Sequence, residues 1–282
     1  MIFIRILTSL LIFILLTIFT QVGGFIWLLG LFITRHLPFE KLTSFQRWWS
    51  TFFVRLVFYL AVTFLVVPPM ARIFGRVPLP VSLSGALKPR TLLTAVGNRH
   101  YVRPELRRIV IEHAERLSKD HPGLQVNYLD ANFPFALRLP FGTFRRGFPL
   151  FPHLSHSDGK KLDIGFIYRD VSTDALSRRT PSAIGYGICE EPLPGEYDRP
   201  RECRSSFSYN FMHDLWPQGA KKSYRFDAKL TRSMIASFAT DRRIGKILLE
   251  PHLKQRLSLG YGKISGVQCG SVRHDDHVHV QL

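Results

Sequence analysis

The chain has 282 residues and a formal net charge of +17, which allows one or two domains and suits an anionic partner. Its basic residues are dispersed, and no helix–turn–helix, RNP or zinc-finger spacing is present, so we do not expect nucleic-acid binding. Apolar residues are concentrated in roughly the first quarter of the chain. That part is therefore expected to contact a lipid bilayer, and the rest is not.

Two apolar runs lie in this first part. Residues Ile6 to Ile33 carry no charge, and the run exceeds the roughly 20 residues that a membrane-spanning helix needs. A cleaved signal peptide is the alternative, although the apolar core of a signal is typically only about 7–15 residues. Residues Phe52 to Ala71 contain a single charge, Arg55, while Pro68 and Pro69 shorten the regular part. The pattern predicts two transmembrane helices.

The charges between these runs predict an orientation. One acidic residue, Glu40, accompanies four basic residues, namely Arg35, Lys41, Arg47 and Arg55. Cytoplasmic loops collect Lys and Arg, so residues 1–75 are predicted to form a transmembrane helical hairpin whose tip is cytoplasmic. The remainder of the chain is then expected on the periplasmic or extracytoplasmic side of a bacterial inner membrane.

The rest of the chain predicts an α+β domain. Residues 76–95 have the Pro, Gly and Ser content of a linker, and residues 96–282 suffice for one compact domain. The segments "PELRRIVIEHAERLSKDHPG", with Pro104 in its first turn, and "SMIASFATDRRIGKILLE" predict helices. Alternation in "LQVNYL", "LDIGFIY" and "HVHVQL" predicts strands. Because no regular βα alternation is present, α+β is favoured over a doubly wound sheet.

The three cysteines form no CxxC motif, which excludes a thiolate-based structural zinc finger. In an oxidising compartment Cys189 and Cys203 could pair across the loop that they bracket and leave Cys269 free. Alternatively, all three could be small buried apolar residues.

Two short segments hold clusters of histidine and aspartate. "FPHLSHSDGKKLDIGF" contains His153, His156 and Asp163, and "SVRHDDHVHVQL" contains His274, Asp276, His277 and His279. Imidazole and carboxylate ligands suit zinc in a catalytic site, where three protein ligands leave one position for water. Residues two apart on a strand share a face, so one of the last two histidines can bind metal while the other stands beside the water. A non-enzymatic metal site is the main alternative.

At these residues the sequence resembles the lysostaphin / D-Ala-D-Ala metallopeptidase superfamily. "SHSDGKKLD" matches its S-H-x-x-G-x-x-x-D pattern and "HVH" its closing H-x-H, while His153 and "HDDHVH" resemble the penicillin-insensitive murein endopeptidases in particular. The resemblance implies the following roles: His156, Asp163 and His279 as Zn²⁺ ligands, His277 beside the water, and His153 and His274 lining the site. It also implies a zinc-peptidase domain with a small antiparallel sheet, flanking helices and peptidoglycan stem peptides as substrate.

The resemblance favours a membrane-anchored D,D-endopeptidase that hydrolyses an amide bond with His277 as the base. Asp276 is the rival base, although in a regular strand it would face away from His279. Asp158 is either an orienting partner of a histidine or a turn-forming residue. The alternatives in function are a catalytically silent, zinc-containing cell-wall binding module, a D,D-carboxypeptidase and an amidase.

Overall fold

A computed structural model describes residues 2–82, 84–135 and 156–282. The helices are α1 (Ile2–Thr20), α2 (Gly23–Arg35), α3 (Ser44–Ala61), α4 (Val67–Ile73), α5 (Leu92–Val96), α6 (Pro104–Asp120), α7 (Arg199–Glu202), α8 (Phe207–Leu215), α9 (Ala228–Thr240) and α10 (Pro251–Arg256). The strands are β1 (Val77–Pro78), β2 (Leu87–Pro89), β3 (Tyr101–Val102), β4 (Val126–Tyr128), β5 (Lys161–Gly165), β6 (Tyr168–Asp170), β7 (Tyr224–Phe226), β8 (Lys246–Leu248), β9 (Ile264–Ser265) and β10 (His277–Gln281). The predicted α+β class is confirmed.

The chain divides into two compact units. The first comprises residues 1–78, 95–101 and 132–159, and the second comprises residues 79–94, 102–131 and 160–282. The first unit contains the apolar helices α1 to α4. The second contains the main sheet and most of the other helices.

In the first unit, the first apolar run is interrupted between α1 and α2. Gln21 there has a left-handed backbone with φ of +67°. Its side-chain amide donates to the carbonyl of Phe135 at 2.8 Å and accepts from the N–H of the same residue at 2.9 Å. A β-carbon at Gly24 would lie 2.5 Å from the carbonyl oxygen of Phe13, so glycine permits the close packing of α1 and α2. The predicted hairpin of two spanning helices is therefore wrong, because a polar turn splits the first run into two shorter helices.

The second apolar run lies within one long helical stretch. A π-helical turn, Val62–Val66, connects α3 to α4, and Pro68 and Pro69 occupy the first turn of α4, where their missing N–H groups are tolerated. The stretch Ser44–Ile73 has 30 residues, and an 18-residue window within it has a mean hydropathy of 2.1. At 1.5 Å per residue it is about 45 Å long. In length and composition, this helix can cross a membrane.

The second unit is built on a six-stranded sheet with the order β2-β4-β5-β10-β8-β9. The three inner pairings, β4–β5, β5–β10 and β10–β8, are antiparallel. The two outer pairings, β2–β4 and β8–β9, are parallel. The predicted antiparallel sheet is thus correct for the inner strands and incomplete at the edges. The edge strand β2 lies within residues 76–95, which the composition alone assigns to a linker.

One face of this sheet forms the hydrophobic core with α6 and α9. Alternate residues of the central strands, Leu162, Ile164, Val278 and Val280, are fully buried in that core. Because successive strand residues point to opposite faces, the residues between them lie on the other face. That opposite face carries Asp163, His277 and His279.

The helix predicted from Pro104 is α6, and the three predicted strand segments contain β4, β5 with β6, and β10. The second predicted helix is only half correct, because α9 ends at Thr240 and the segment continues as β8. Gly245 permits a close approach to the residues at the end of β10, because a β-carbon there would lie 3.2 Å from the carbonyl carbon of Leu282. Its N–H donates to the carbonyl of Gln281 at 2.9 Å, which joins the chain to the end of β10.

The disulfide differs from the pairing considered above. Cys203 and Cys269 are bonded, with their Cα atoms 5.1 Å apart, and Cys189 is free and buried. The suggested pairing of Cys189 with Cys203 is therefore wrong. Burial raises the pKa of the Cys189 thiol well above its usual value, as does nearby Asp275.

Removal of the disulfide is expected to lower the free energy of unfolding. The bond joins residues separated by 66 positions, and closure of a loop of this length stabilises a protein by about 4 kcal/mol in the chain-entropy model. Urea unfolding of the Cys203→Ser/Cys269→Ser variant should show this loss. Reduction should lower the free energy of unfolding of the wild type by the same amount, and it should leave that of the double variant unchanged. A wild type unaffected by reduction would contradict the prediction.

Candidate metal centre

The pairing of β5 with β10 places the acidic and imidazole side chains together. His279 lies directly opposite Asp163, and His277 lies directly opposite Gly165. Directly opposite residues share a face, so all four positions lie on the face away from the core. The Asp163 Oδ1 atom is 2.8 Å from Nδ1 of His279. Two segments more than 100 residues apart in the chain are thereby joined at their polar residues.

A group of three residues here could hold a metal ion. His156, Asp163 and His279 each offer one ligand atom, and these atoms lie within 4.8 Å of one another. All three residues are buried. Two imidazoles and a carboxylate in a buried position are a donor set that suits zinc.

Tyr186 is a component that the sequence patterns did not indicate. Its hydroxyl donates to Oδ2 of Asp163 at 2.8 Å, so both carboxylate oxygens have partners. Gly185 and Gly187 flank it with φ of +93° and +85°. A β-carbon at Gly185 would collide with Leu129. The only available signal was the "GYG" triplet, whose glycines permit the two left-handed turns that direct the phenol.

His277 is held by Asp276. The Nδ1 atom of His277 is hydrogen-bonded to Oδ1 of Asp276, while Oδ2 of the same carboxylate accepts from the N–H of Gly187. An ionised carboxylate only accepts hydrogen bonds, so Nδ1 carries the proton. The Nε2 atom lies 3.8 Å from Oδ2 of Asp163. In this orientation, Nε2 faces the candidate metal group.

The charges around His277 also set its pKa. Burial lowers that pKa, but the Asp276 and Asp163 carboxylates outweigh it and raise the pKa of His277 to about 9. The neighbouring His274 behaves in the opposite way, because burial and then His277 hold its pKa well below the usual value. The two imidazoles, whose ring centres are 4.6 Å apart, therefore favour different protonation states.

The remaining predicted residues are placed as follows. His274 lines the group, with its ring centre 5.9 Å from that of His279 and its Nδ1 atom 2.9 Å from the carbonyl of Val272. Asp158 lies in the bend before β5, next to Gly159 with φ of +76°. His153 lies outside the described residues. Its predicted role stays a prediction.

A second group, Cys189, Glu191 and Asp275, also has the spacing to hold a metal ion. The guanidinium of Arg273 is already bonded to both carboxylates, donating from Nε to Asp275 at 3.0 Å and from Nη2 to Glu191 at 2.9 Å. A cation would have to compete with that arginine. All three residues of the first group are buried, whereas Glu191 of the second group is exposed, which makes the first group the stronger metal candidate.

Replacement of Tyr186 by Phe is expected to weaken metal binding by about 10–100-fold, because loss of a partner that orients a metal ligand typically has this effect. The hydroxyl is the only group removed, so the fold should be retained. Competition with a zinc chelator of known affinity would measure the change. Phe at Tyr197, whose hydroxyl contacts exposed Glu202, is the matched control. Equal affinities in the two variants would contradict this role of Tyr186.

No protein-family model matches the chain, and a search of curated proteins also gave no match.

Proposed function

We propose that this protein is a membrane-anchored zinc metallopeptidase that hydrolyses amide bonds of peptidoglycan stem peptides, with D,D-endopeptidase specificity. One observation carries the proposal. The candidate metal group has a buried histidine beside it, His277, whose Nε2 faces the group while its Nδ1 is tied to Asp276. The motif resemblance to the lysostaphin / D-Ala-D-Ala metallopeptidases supports the same reaction.

The proposed ligands are His156, Asp163 and His279. A bound zinc ion would polarise the scissile carbonyl and lower the pKa of a water molecule to about 7. Tyr186 keeps the Asp163 carboxylate oriented through its second oxygen. A donor set of two imidazoles and one carboxylate leaves a fourth position for the reacting groups.

His277 is the proposed general base. Because Nδ1 donates to Asp276, Nε2 is the atom that loses its proton when the ring becomes neutral. The Asp276 and Asp163 carboxylates raise the pKa of His277 to about 9, and a bound zinc ion would lower that pKa again by offsetting the charge of Asp163. The neutral ring could then take the proton of the attacking water at Nε2. The protonated ring would then stabilise the negative charge that develops on the carbonyl oxygen. Asp276 is less suited to act as the base, since both of its oxygens already accept hydrogen bonds, from His277 and Gly187. We assign it a positioning role.

The apolar helices support membrane attachment. Large side chains along Ser44–Ile73 are exposed, among them Phe53 and Leu65, as expected for contact with lipid. Arg35 at the end of α2, Lys41 in the link and Arg47 in the first turn of α3 favour a cytoplasmic position for this end of the long helix. Residues beyond α4 would then lie on the extracytoplasmic side. Reporter fusions after Gly75 should therefore be active only outside the cytoplasm. Reporter activity confined to the cytoplasm would make a cell-wall substrate untenable.

The activity test uses the full-length protein in detergent with purified peptidoglycan. Release of new amine groups is expected, together with its loss on chelation and its recovery on addition of zinc. Mass spectrometry of the released muropeptides identifies the bond, and loss of cross-linked dimers indicates endopeptidase activity. A zinc-loaded protein that binds peptidoglycan without releasing amines would instead be a binding module. Loss of terminal residues alone would indicate a carboxypeptidase.

A further inference from the structure

One row of positions crosses the sheet on the face of the metal group. Lys88 of β2 lies opposite Asn127 of β4, and Gly165 of β5 lies opposite His277 of β10. Tyr128 pairs with Ile164, so Asn127 is next to Gly165 in this antiparallel pair. The row therefore runs Lys88, Asn127, Gly165, His277. With strands about 4.8 Å apart, its two ends are separated by about 14 Å.

Lys88 is buried without a counter-charge. Only 9% of the residue is exposed, and its ammonium makes no hydrogen bond or ion pair in the part of the chain that the structure describes. Residues 136–155, which lie outside that part, contain no Asp or Glu in the sequence. A mostly buried residue whose ammonium has no counter-charge is unfavourable. Such a group is expected to bind an anion.

The surroundings of Lys88 strengthen this expectation. Arg90, Arg178 and Arg179 lie near it, and burial followed by these three charges lowers the pKa of Lys88. The guanidinium of Arg90 donates to Oγ1 of Thr180 at 2.7 Å, in the loop that follows Arg178 and Arg179. Arg178 and Arg179 are exposed. An arriving anion would meet the two exposed arginines first and the buried lysine next.

Asn127 supplies a second unsatisfied group. The residue is 4% exposed, and its Oδ1 has no hydrogen-bond partner among the described residues. Side by side, the pair offers a cationic donor from Lys88 and an amide acceptor from Asn127. The terminal residue of a peptide presents the complementary pair, a carboxylate and the N–H of the same residue. The chemistry on this part of the sheet thus fits a peptide C-terminus.

The distance to His277 restricts what such a peptide can be. Thr180 packs on Gly165, where a β-carbon would lie 2.9 Å from its Cγ2, so the loop of Thr180 separates the two ends of the row. An extended peptide advances about 3.3 Å per residue, so a path that spans about 14 Å and passes around this loop needs at least about four residues. A carboxylate at Lys88 would therefore not adjoin a scissile bond at His277. This spacing suits cleavage within a peptide and not removal of its last residue.

We propose that Lys88 and Asn127 form a subsite for the free C-terminal carboxylate of the stem peptide, several residues from the bond that is cleaved. The inference rests on the proposed function for the position of the scissile bond. The existence of the carboxylate subsite itself does not depend on catalysis.

The test compares two synthetic cross-linked stem peptides that differ only in a free or an amidated C-terminus. For the full-length wild type, the free carboxylate should lower KM. Lys88→Met should raise KM for that peptide by about 10–100-fold, because a hydrogen bond to a charged group is lost. Its kcat should stay within about twofold of the wild-type value. The amidated peptide should be cleaved equally by both proteins. Lys246→Met, at an exposed position of β8, is the control and should change neither peptide.

Binding measured by calorimetry with the same peptides separates the two proposals. The wild type should bind the peptide with the free carboxylate more tightly than the amidated peptide, and Lys88→Met should bind both equally. That result supports the subsite even if no peptide is cleaved. In that case only the proposed reaction fails. If Lys88→Met changes the affinity for both peptides by the same factor, the subsite is overturned even if cleavage is observed. Lys88→Met should be at least as heat-stable as the wild type, because it removes a buried charge. Should Met prevent folding, Lys88→Gln replaces it in the same comparison.

Discussion

Replacement of Asp163 by Ala is expected to leave the purified full-length protein with almost no bound zinc. This carboxylate contacts His279 at 2.8 Å and belongs to the three-residue group with His156. Its loss removes one of three proposed ligands and also the negative charge that compensates the cation. Zinc per protein, measured by mass spectrometry of the metal after purification in zinc-containing buffer, should fall from near one to near zero.

The matched control is Asp214→Ala, because this aspartate is exposed and contacts only His213 among the interactions described for it. Zinc content in the control should equal that of the wild type. Circular dichroism would establish that the Asp163 variant is folded. If folded Asp163→Ala kept the zinc content of the control, the metal site would not be where we place it.

Replacement of His277 by Ala is expected to preserve zinc while lowering turnover by roughly 10²–10⁴-fold, the usual contribution of a general acid–base residue. His277 faces the metal group at 3.8 Å from Asp163 but is not one of the three grouped residues. Replacement of His279 should instead remove both zinc and activity. Metal content and peptide hydrolysis should be measured on the same preparations.

Asp276→Asn distinguishes positioning from direct catalysis. An amide in place of the carboxylate still accepts from His277 but no longer favours its charged form, so kcat should fall while zinc stays bound. The pH profile should shift as well, because Asp276 is the largest influence that raises the pKa of His277. Loss of zinc from His277→Ala, with zinc retained in His279→Ala, would reverse the roles that we assign to the two histidines.

Local patterns predicted the part of the site that depends on strand periodicity. The alternation in "HVHVQL" placed His277 and His279 on one face, and the structure has Asp163 opposite His279 on the neighbouring strand. Strand periodicity was enough for the shared face, because both histidines lie on one strand. The pairing of that strand with β5 is seen only in the structure. The metal ligands themselves remain predictions until zinc is measured.

Features that depend on distant partners were not predictable in this way. Hydropathy treats Gln21 as one polar residue in an apolar run, whereas its left-handed backbone and the packing of α1 on α2 show that the chain turns there. Its two hydrogen bonds go to Phe135, more than 100 residues away. Likewise, the partner of Cys203 is 66 residues away and is chosen by the packing of the loops that carry both cysteines. Tyr186 belongs to the same class, since nothing near it in the sequence indicates a contact with Asp163.

The position of β10 has a consequence for how the protein is made. This strand is the last of the described strands to be synthesised, yet it lies between β5 and β8 in the interior of the sheet. Until it is added, two strand edges stay open and the proposed base and one proposed zinc ligand are missing. A chain without β10 would therefore be prone to aggregation through those edges and would lack the proposed base. The proposed hydrolytic activity would begin only after β10 has been inserted.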